Sequence, residues 1–458
     1  MKMQLAEIAQ ALQIESQPAW EDIIVTSVCF DSRNLEPGAL FIPLVANNDG
    51  HDYVQSAIEK GAVATLWQLD HQEQIVDLPQ LLVPNSLQAL QKLAKYYLNK
   101  INPQVVAITG SNGKTTTKDM TAAVLATQYN VQKTQANFNN EIGVPLTILA
   151  MEPHTEILVV ELGMDHPGEL TVLSELVEPD VAVITMIGEA HLEFFGTRDK
   201  IADAKMEIVT GLKEDGVLIY KGNEPLLQER VAKISQESLT FGMDEAVLVD
   251  YQAEQIKSDG VQTRFMIKNH NTPELTIPLM GEYNVANALA ASAVGEYFHI
   301  TGMNLQKALR EFALTKNRTE WVSGKQGARI LSDVYNSNPT AAKEVLKTIA
   351  DLPVVGEKIV VLGDMLELGT QSAQLHASLA EVINADEISQ VYLCGEMMRH
   401  LGEVLADKMP AERIHLYDVT DKERLLADLQ KEIKSDDLVL VKGSHGIHLE
   451  EIVAGLAE

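Results

Sequence analysis

The sequence predicts an α/β protein of three domains: a small N-terminal α/β domain, a central domain with a mostly parallel sheet, and a C-terminal domain with a doubly wound sheet. Three observations predict this architecture. The chain has 458 residues, whereas one domain usually holds roughly 100–200. Short apolar, β-branched runs alternate with helical segments along the whole chain, as they do in α/β proteins. The hydrophobic content of 46% and the charged content of 22% are typical of a globular chain.

The N-terminal domain is predicted to span residues 1–100. Its apolar runs IIVTSVCF, ALFIPLV, AVATLW and QLLVP alternate with the helical stretches YVQSAIEKGA and LQALQKLAKYYLNK. The pair Asn102-Pro103 then interrupts the pattern, because a residue that precedes proline disfavours helix. A domain boundary is therefore predicted close to residue 100.

The central domain is predicted to span residues 101–315. From Val105 onward, helical segments separate the runs VVAITG, ILVVELG, VAVITMIG and GVLIY. Continuous β-branched strands between helices indicate a parallel sheet that is covered on both faces. Residues 240–280 have the pattern of antiparallel strands added to this sheet.

The C-terminal domain is predicted to span residues 316–458. It contains the strand-like runs ARILSDVYN, KIVVLGDM, QVYLCG, RIHLYD and DLVLVKGS. Five such strands with helices between them indicate a Rossmann-like, doubly wound sheet.

Composition excludes several classes of protein. The net charge of −29 argues against nucleic-acid binding, which depends on clustered Lys and Arg. Cys29 and Cys394 lie far apart and match neither a disulfide framework nor a zinc site. The N-terminus lacks the apolar core of a signal peptide, and no apolar run approaches the roughly 20 residues that span a bilayer. We expect a cytoplasmic protein that binds no nucleic acid and does not insert into a membrane.

A glycine-rich turn, TGSNGKTT at residues 109–116, follows the first central strand. The strict P-loop pattern would require glycine where Ile108 stands. The strand-turn-helix context is nevertheless that of a phosphate loop, in which backbone N–H groups hold phosphate oxygens, Lys114 contacts the terminal phosphates and Thr115 binds Mg²⁺. An ordinary turn would leave Lys114 solvated.

We therefore predict a P-loop ATPase-like central domain. The predicted ATP-binding residues of this loop are Gly110, Ser111, Asn112, Gly113, Lys114, Thr115 and Thr116.

Three further residues have candidate roles beside this loop. Glu161 ends the strand ILVVE, at the edge where parallel sheets bind ligands, and its carboxylate suits Mg²⁺. A surface-loop glutamate is the alternative. His191 follows the strand VAVITMIG and is expected beside Glu161, although a single histidine is more often structural. Lys205 lies on a predicted helix, where sequence physics alone would make it an exposed lysine.

The loop TGSNGKTTT resembles the ATP loop of the Mur ligase family, the ATP-dependent amino-acid-adding enzymes of bacterial cell-wall synthesis, and that of their relative folylpolyglutamate synthase. The amide-rich segment TQANFNNEIG, residues 134–143, is similar to the family segment that lies between ATP and the acceptor. Asn139 and Asn140 are therefore predicted to contact substrate, with turn and cap roles as the alternative. The resemblance extends from one end of the chain to the other.

The resemblance implies a metal-assisted ATP site. In Mur ligases the lysine that matches Lys205 is carbamylated, which replaces a cation with an anion that offers oxygen ligands. The predicted catalytic residues are Lys114, Glu161, His191 and Lys205. Two Mg²⁺ ions are expected, and their predicted ligands are Thr115, Glu161, His191 and the carbamate of Lys205.

The segment GEYNVANA, residues 281–288, resembles a family segment whose second asparagine, here Asn287, reaches the adenine. Arg318 and Asp333 match the hinge arginine near the terminal phosphate and the aspartate near the ribose. Either residue also fits an ordinary interdomain salt bridge. Their joint presence at the start of the third domain favours an ATP site that closes between two domains.

The two outer domains indicate the acceptor. The segments FDSR and DGHD are similar to the UDP-sugar domain of two family members, which implies that Ser32 and Arg33 contact the pyrophosphate or uracil. A turn pair is the alternative. The segments DVYNSNPT and LGDMLELG resemble the member that joins D-alanyl-D-alanine to UDP-N-acetylmuramoyl tripeptide, and they imply substrate contacts by Tyr335, Asn336 and Asn338. The sequence lacks the Asp-Asn-Pro-Arg motif of the member that adds a diamino acid.

The implied reaction forms an amide bond through an acyl phosphate and yields ADP and the UDP-muramoyl pentapeptide of peptidoglycan synthesis. Two alternatives stay open: another Mur-type ligase that adds a single amino acid, and a P-loop regulator that hydrolyses ATP only to change shape. A regulator would not need a UDP-sugar-like domain. The strand ends carry no motif that selects lysine or diaminopimelate in the tripeptide. We expect a monomer.

Overall fold

The structure is a computed structural model that describes residues 1–71, 77–313, 315 and 318–457. Within these residues, the strands form three large sheets and one two-stranded ribbon, in the chain order that the sequence predicts. The α/β class with three domains is therefore confirmed. The exact boundaries stay predictions, and Lys316, at the second of them, lies outside the described residues.

The N-terminal sheet has four parallel strands in the order β3-β4-β5-β6. Asn85 caps the start of the long helix α3, since its Oδ1 accepts the N–H of Gln88 at 2.9 Å. Asn102 caps the end of this helix with a φ of +53°, immediately before Pro103. The elements are β1 (Met3–Gln4), α1 (Leu5–Leu12), β2 (Ile24–Val25), β3 (Ser27–Cys29), β4 (Ala39–Phe41), α2 (Val54–Glu59), β5 (Ala64–Gln68), β6 (Gln80–Val83) and α3 (Ser86–Ile101).

The central sheet has nine strands in the order β15-β14-β13-β12-β11-β10-β7-β9-β8. Its elements are β7 (Gln104–Thr109), α4 (Lys114–Leu125), β8 (Val131–Lys133), α5 (Gly143–Leu149), β9 (Ile157–Glu161), α6 (Glu169–Val177), β10 (Val181–Ile184), α7 (Leu192–Phe195), α8 (Arg198–Met206), β11 (Val217–Lys221), α9 (Pro225–Val231), β12 (Glu237–Gly242), β13 (Tyr251–Ser258), β14 (Thr263–Ile267), β15 (Leu275–Ile277), α10 (Glu282–Tyr297) and α11 (Gly302–Glu311).

Both faces of the central sheet are buried, which explains the continuous apolar strands. Successive residues of a strand point to opposite faces. Val105 belongs to the core cluster that contains Leu93 of α3, whereas Val106 belongs to the cluster that contains Leu289 of α10. The first cluster thus continues from the central sheet into the N-terminal domain.

The antiparallel prediction for residues 240–280 is only partly right. β12 pairs parallel with β11, and β13 pairs parallel with β12. The crossover helix α9 between β11 and β12 makes the parallel pairing possible. Only β14 and β15 join the sheet in antiparallel fashion.

The third sheet has six strands in the order β16-β17-β21-β18-β19-β20, with the five predicted strands all parallel. The sequence analysis missed β16, a short antiparallel edge strand without a buried residue. The elements are β16 (Glu320–Ser323), β17 (Arg329–Asp333), α12 (Pro339–Asp351), β18 (Lys358–Gly363), α13 (Ser372–Ala377), β19 (Gln390–Cys394), α14 (Met398–Leu405), β20 (Ile414–Tyr417), α15 (Lys422–Glu432), β21 (Leu438–Lys442) and α16 (Glu450–Leu456).

Within the described ranges, no helix combines the length and the apolar character needed to cross a bilayer.

The buried face of α10 gives a prediction about stability. Leu289 is 0% exposed and Leu248, in the loop before β13, is 96% exposed. We expect Leu289→Ala to lower the free energy of unfolding by about 2–5 kcal/mol, because it leaves a cavity in the core. Urea denaturation followed by circular dichroism measures the change, with Leu248→Ala as the control. Equal midpoints for the two variants would contradict the burial of α10.

Candidate functional site

The turn between β7 and α4 admits only glycine at two positions. Gly110 has a φ of +146° and Gly113 a φ of +82°, which is the region that L residues with side chains avoid. A Cβ on Gly110 would lie 1.9 Å from Oγ1 of Thr185, and a Cβ on Gly113 would lie 2.3 Å from Oδ1 of Asn287. The backbone can therefore approach its neighbours closely. The first N–H groups of α4 are left for a ligand.

Lys114 is the first residue of α4 and faces this turn. Its Nζ donates a hydrogen bond to the carbonyl oxygen of Gly110 at 2.7 Å. Burial lowers the pKa of Lys114, and the nearby carboxylate of Glu161 opposes that shift. The ammonium is thus held at the mouth of the turn, the position that a phosphate-binding lysine needs.

Glu161 ends β9 as the sequence predicts, but it is buried rather than exposed, at 1%. Its carboxylate accepts hydrogen bonds from Oγ1 of Thr115 at 2.8 Å and from Nδ2 of Asn139 at 2.9 Å. In the described part of the chain, no Lys, Arg or His lies within ion-pair distance of it. Burying a carboxylate is costly unless a cation compensates its charge. The donor set therefore fits a divalent cation that prefers oxygen ligands.

Lys205 is only 1% exposed, so the exposed-lysine alternative is wrong. Among residues 1–71, 77–313, 315 and 318–457, its ammonium has neither a hydrogen-bond acceptor nor an ion-pair partner. Burial lowers the pKa of Lys205 well below its ordinary value, and the positive charge of Lys114 lowers it further. Adding a carboxylate to this amine would remove the energetic cost of burying a positive charge that has no acceptor.

His191 lies between two carboxylates that come from different domains. Its Nδ1 is 2.6 Å from Oε2 of Glu367, in the third domain, and 3.2 Å from Oδ1 of Asp165. The hydrogen bond with His191 is the main cause of the lowered pKa of Glu367. The structure thus gives His191 a defined orientation, although its role as a metal ligand stays a prediction.

Arg318 and Asp333 lie where the third domain begins. The guanidinium of Arg318 lies 4.0 Å above the ring of Tyr335, and its buried Nε has no hydrogen-bond partner in the described residues. Asp333 accepts the N–H of Thr319 at 3.3 Å and the ammonium of Lys442 at 2.5 Å. Arg318 therefore retains a donor for an anionic ligand.

Asn287 and the two predicted acceptor-side asparagines already have partners. Asn287 is buried, and its Oδ1 accepts the hydroxyl of Thr117 at 3.2 Å. Asn139 donates to Glu161, as described above. The Oδ1 of Asn140 accepts the N–H of Gly143, the first residue of α5, at 2.9 Å. Asn140 thus bonds to its local backbone, as the turn-and-cap alternative expects, while adenine and acceptor contacts stay predictions.

The phosphate turn is joined to the third domain by a pair of amides. Nδ2 of Asn338 donates to Oδ1 of Asn112 at 2.6 Å, and Nδ2 of Asn112 donates to Oδ1 of Asn338 at 3.1 Å. Asn338 also caps α12 by accepting the N–H of Ala341 at 3.0 Å. Beside it, Oδ1 of Asn336 accepts the N–H of Ser337 at 2.8 Å. The turn and the start of α12 are thus held together.

A cavity of about 1190 Å³ lies between the central and third domains. It brings together most of the predicted site, namely Ser111, Asn112, Gly113, Lys114, Thr116, Asn139, Asn140, Glu161, His191, Asn287, Arg318, Asp333, Tyr335 and Asn336. Gly110, Thr115, Lys205 and Asn338 do not line it, although Thr115 and Asn338 bond to residues that do. Ser32 and Arg33 are not at this cavity either. Arg33 is exposed and its guanidinium bonds to Asp31 at 2.9 Å.

Several charged residues that line the cavity or contact its lining were not predicted from the sequence. Asp165, Glu367 and Lys442 all line the cavity or contact a residue that does. Asp165 and Lys442 follow strand-like runs, and Glu367 lies inside the motif LGDMLELG. A charged residue at the carboxyl end of a parallel strand is the sequence signal that could have found them. The sequence analysis applied this signal only to Glu161 and His191.

Comparisons with known proteins agree along the chain. Three family models match: "Mur ligase family, catalytic domain" at residues 24–98, "Mur ligase middle domain" at 108–295, and "Mur ligase, glutamate ligase domain" at 317–445. The UDP-N-acetylmuramoyl-tripeptide--D-alanyl-D-alanine ligase of Bacillus subtilis is 43% identical over 97% of this chain and 95% of its own. The Escherichia coli protein of that name is 32% identical over 99% and 98%.

Solved structures give the same result. The crystal structure of MurF from Acinetobacter baumannii has a TM-score of 0.86 and 27% identity, and covers 99% of this chain and 98% of that one. MurF from Thermotoga maritima, in complex with ADP, has a TM-score of 0.81 and 29% identity over 94% and 97%. With its fold, its site and these relatives taken together, the chain belongs to the Mur ligase family.

Proposed function

We propose that this chain is an ATP-dependent, ADP-forming ligase that adds D-alanyl-D-alanine to UDP-N-acetylmuramoyl tripeptide. The observation that carries the proposal is the interdomain cavity. It brings together the glycine turn with Lys114, the buried carboxylate of Glu161, and Nε of Arg318, which has no hydrogen-bond partner in the described residues. The names of relatives up to 43% identical over almost the whole chain support the acceptor and the dipeptide. The product would be the UDP-muramoyl pentapeptide of peptidoglycan synthesis.

The first step activates the acceptor. A carboxylate oxygen of the tripeptide attacks the γ-phosphorus of ATP, the bond to the β,γ-bridging oxygen breaks, and ADP leaves an acyl phosphate behind. Lys114 and the first N–H groups of α4 stabilise the negative charge on the phosphoryl oxygens. Arg318, at the hinge, supplies a further donor. The protein thus contributes position and fixed positive charge rather than a nucleophile.

The second step forms the amide. The amine of D-alanyl-D-alanine attacks the activated carbonyl carbon, phosphate leaves, and the amine loses a proton. Water would hydrolyse the acyl phosphate, so the site must close first. The paired amides of Asn112 and Asn338 keep the third domain against the phosphate turn. Tyr335 and Asn336, on the third domain, are the proposed contacts of the incoming dipeptide.

Two residues would hold Mg²⁺ beside the phosphates: Thr115 through its hydroxyl and Glu161 through its carboxylate. The fit is supported by the carboxylate's burial without a cation partner in the described residues. When bound, Mg²⁺ would offset the charge on the phosphoryl oxygens. His191 and a carbamylated Lys205 are proposed for a second ion. The amine of Lys205, buried and without a partner among the described residues, supports the carbamate, because the modification exchanges an uncompensated cation for oxygen ligands.

The remaining assignments follow from the substrates. Ser32 and Arg33 are proposed to contact the UDP portion, and Asn287 and Asp333 the adenosine. The reaction is placed in the cytoplasm, where ATP and nucleotide-linked sugars occur. A monomer is proposed because one chain holds every residue that the mechanism uses.

Phosphate release tests the function directly. Purified protein is given Mg-ATP with UDP-N-acetylmuramoyl tripeptide, with D-alanyl-D-alanine, with both, or with neither, and the product mass is recorded. We expect release only with both substrates, together with the mass of the pentapeptide. Release that ignores both substrates would favour the ATP-driven regulator. Turnover with a single amino acid in place of the dipeptide would favour another Mur-type ligase.

A glycine substitution tests the phosphate turn. Gly113→Ala places a methyl group against Asn287, and we expect the Kd for ADP to rise about 10-fold or more. Isothermal titration measures the Kd. Gly327→Ala is the control, since Gly327 has a φ of +89° but its added Cβ would meet only Ser435, at 3.8 Å. If both variants bind ADP like the unaltered protein, the turn does not hold phosphate.

Chemical rescue tests the carbamate. We expect Lys205→Ala to lose activity on the order of 100-fold or more, because a metal ligand is removed. Bicarbonate together with a short carboxylate such as acetate should restore part of the activity by supplying the missing oxygens. Lys200→Ala, an exposed lysine of the same helix, is the control. Loss without any rescue would favour a purely structural role for Lys205.

A further inference from the structure

The contact between His191 and Glu367 is the centre of a small, well-defined junction between the central and third domains. Oε2 of Glu367 lies 2.6 Å from Nδ1 of His191, and the carbonyl oxygen of Glu367 accepts the N–H of Glu193 at 2.9 Å. Glu193 also packs against Gly369, because a Cβ added to Gly369 would lie 3.2 Å from the Cα of Glu193. Backbone and side chain of Glu367 therefore both reach the loop that carries His191.

The loop that presents Glu367 is itself held in place. The N–H of Met365 donates to Nε2 of His376 at 2.8 Å, and the N–H of Leu366 donates to Oγ of Ser444 at 2.9 Å. Glu367 then adopts a left-handed φ of +62°, an unfavourable conformation for a residue with a side chain. Hydrogen bonds thus hold the backbone of the loop in place just before Glu367.

Glu367 is the hydrogen-bond partner of Nδ1 of His191 in the described residues. Asp165, in the same domain as His191, has its Oδ1 3.2 Å from the same Nδ1, which is within ion-pair distance, but among the described residues it makes no hydrogen bond with the ring. Because a carboxylate accepts hydrogen bonds, Nδ1 is the donor to Glu367, which in the neutral ring leaves the lone pair of Nε2 for another ligand. Among the residues that the structure describes, Nε2 of His191 has no hydrogen-bond partner, and the ring lines the cavity.

We infer that Glu367 is a positioning residue that orients His191 toward a divalent cation, so that closure of the third domain completes the second metal site. A carboxylate on the far nitrogen of a metal-binding histidine is the usual means of fixing its ring. This carboxylate comes from the other domain, so the ion's affinity depends on closure. The inference rests on the proposed function, which makes His191 a metal ligand.

Binding of Mn²⁺, measured by electron paramagnetic resonance with ADP present, tests the inference without any turnover. Compared with the unaltered protein, Glu367→Gln should lower the affinity of one Mn²⁺ site about 10–100-fold and leave the other unchanged. It should also raise the Mg²⁺ concentration that gives half-maximal ligation. Glu367→Asp, which keeps the charge on a shorter side chain, should recover part of the affinity.

Glu403→Gln is the matched control. Glu403 is a third-domain glutamate whose Oε2 lies 3.5 Å from Nδ1 of His400, away from the cavity. It should change neither Mn²⁺ site. Melting temperatures of all variants show whether each one folds.

The outcomes separate the inference from the proposed function. If Glu367→Gln leaves both Mn²⁺ affinities unchanged, the contact is only a latch between domains and the inference is overturned. If His191→Ala also leaves both sites unchanged, His191 is not a metal ligand and the inference fails at its premise. If the unaltered protein ligates no dipeptide but Glu367→Gln still weakens one Mn²⁺ site, the proposed acceptor chemistry fails and the positioning role stands.

Discussion

The parallel pairing of β10, β7 and β9 is the constraint on which the site depends. Ile108 pairs with Glu161, and Thr109 pairs with Ile184. All three strands therefore end at the same edge of the sheet, and the loops that follow them emerge together. The glycine turn, the buried carboxylate and the loop of His191 become neighbours only through this register. A shift of one residue would turn each strand's side chains to the opposite face.

The cavity contains several cationic side chains, although the chain as a whole is strongly negative. The net charge is −29, which repels an anionic nucleotide at long range. The cavity nevertheless contains Lys114, which faces the glycine turn, and Arg318, whose buried Nε has no hydrogen-bond partner in the described residues. Burial strengthens these local charges because little water screens them. Binding of ATP thus depends on a few placed cations and on helix α4, against the field of the rest of the molecule.

The same geometry makes the third domain part of the ATP site. Asn338 bonds to the phosphate turn, Thr340 donates to Glu189 through both its N–H and its hydroxyl at 3.2 and 2.7 Å, and Glu367 bonds to His191. All three contacts join the start of α12 or the loop after β18 to loops of the central sheet. In this structure the third domain therefore contacts the phosphate turn and the loop of His191 directly.

The sequence by itself determined the α/β class, the three-domain order and the phosphate turn. These features depend on local signals: β-branched runs, their spacing, and glycines that alone tolerate positive φ. It also directed attention to Glu161, because a carboxylate at a strand end is visible without a structure. Family resemblance, rather than residue physics, singled out Lys205.

Only the tertiary structure decided burial and partners. Lys205 lies on a helix that sequence physics would expose, yet it is buried, and the charge of Lys114, distant in the chain, acts on it. Asp165 and Glu367 come to one nitrogen of His191 from different domains, a contact that no local pattern encodes. The parallel placement of β12 likewise depended on the crossover through α9. Long-range contacts of this kind result from how the sheets and domains pack, and that is why the sequence alone left them open.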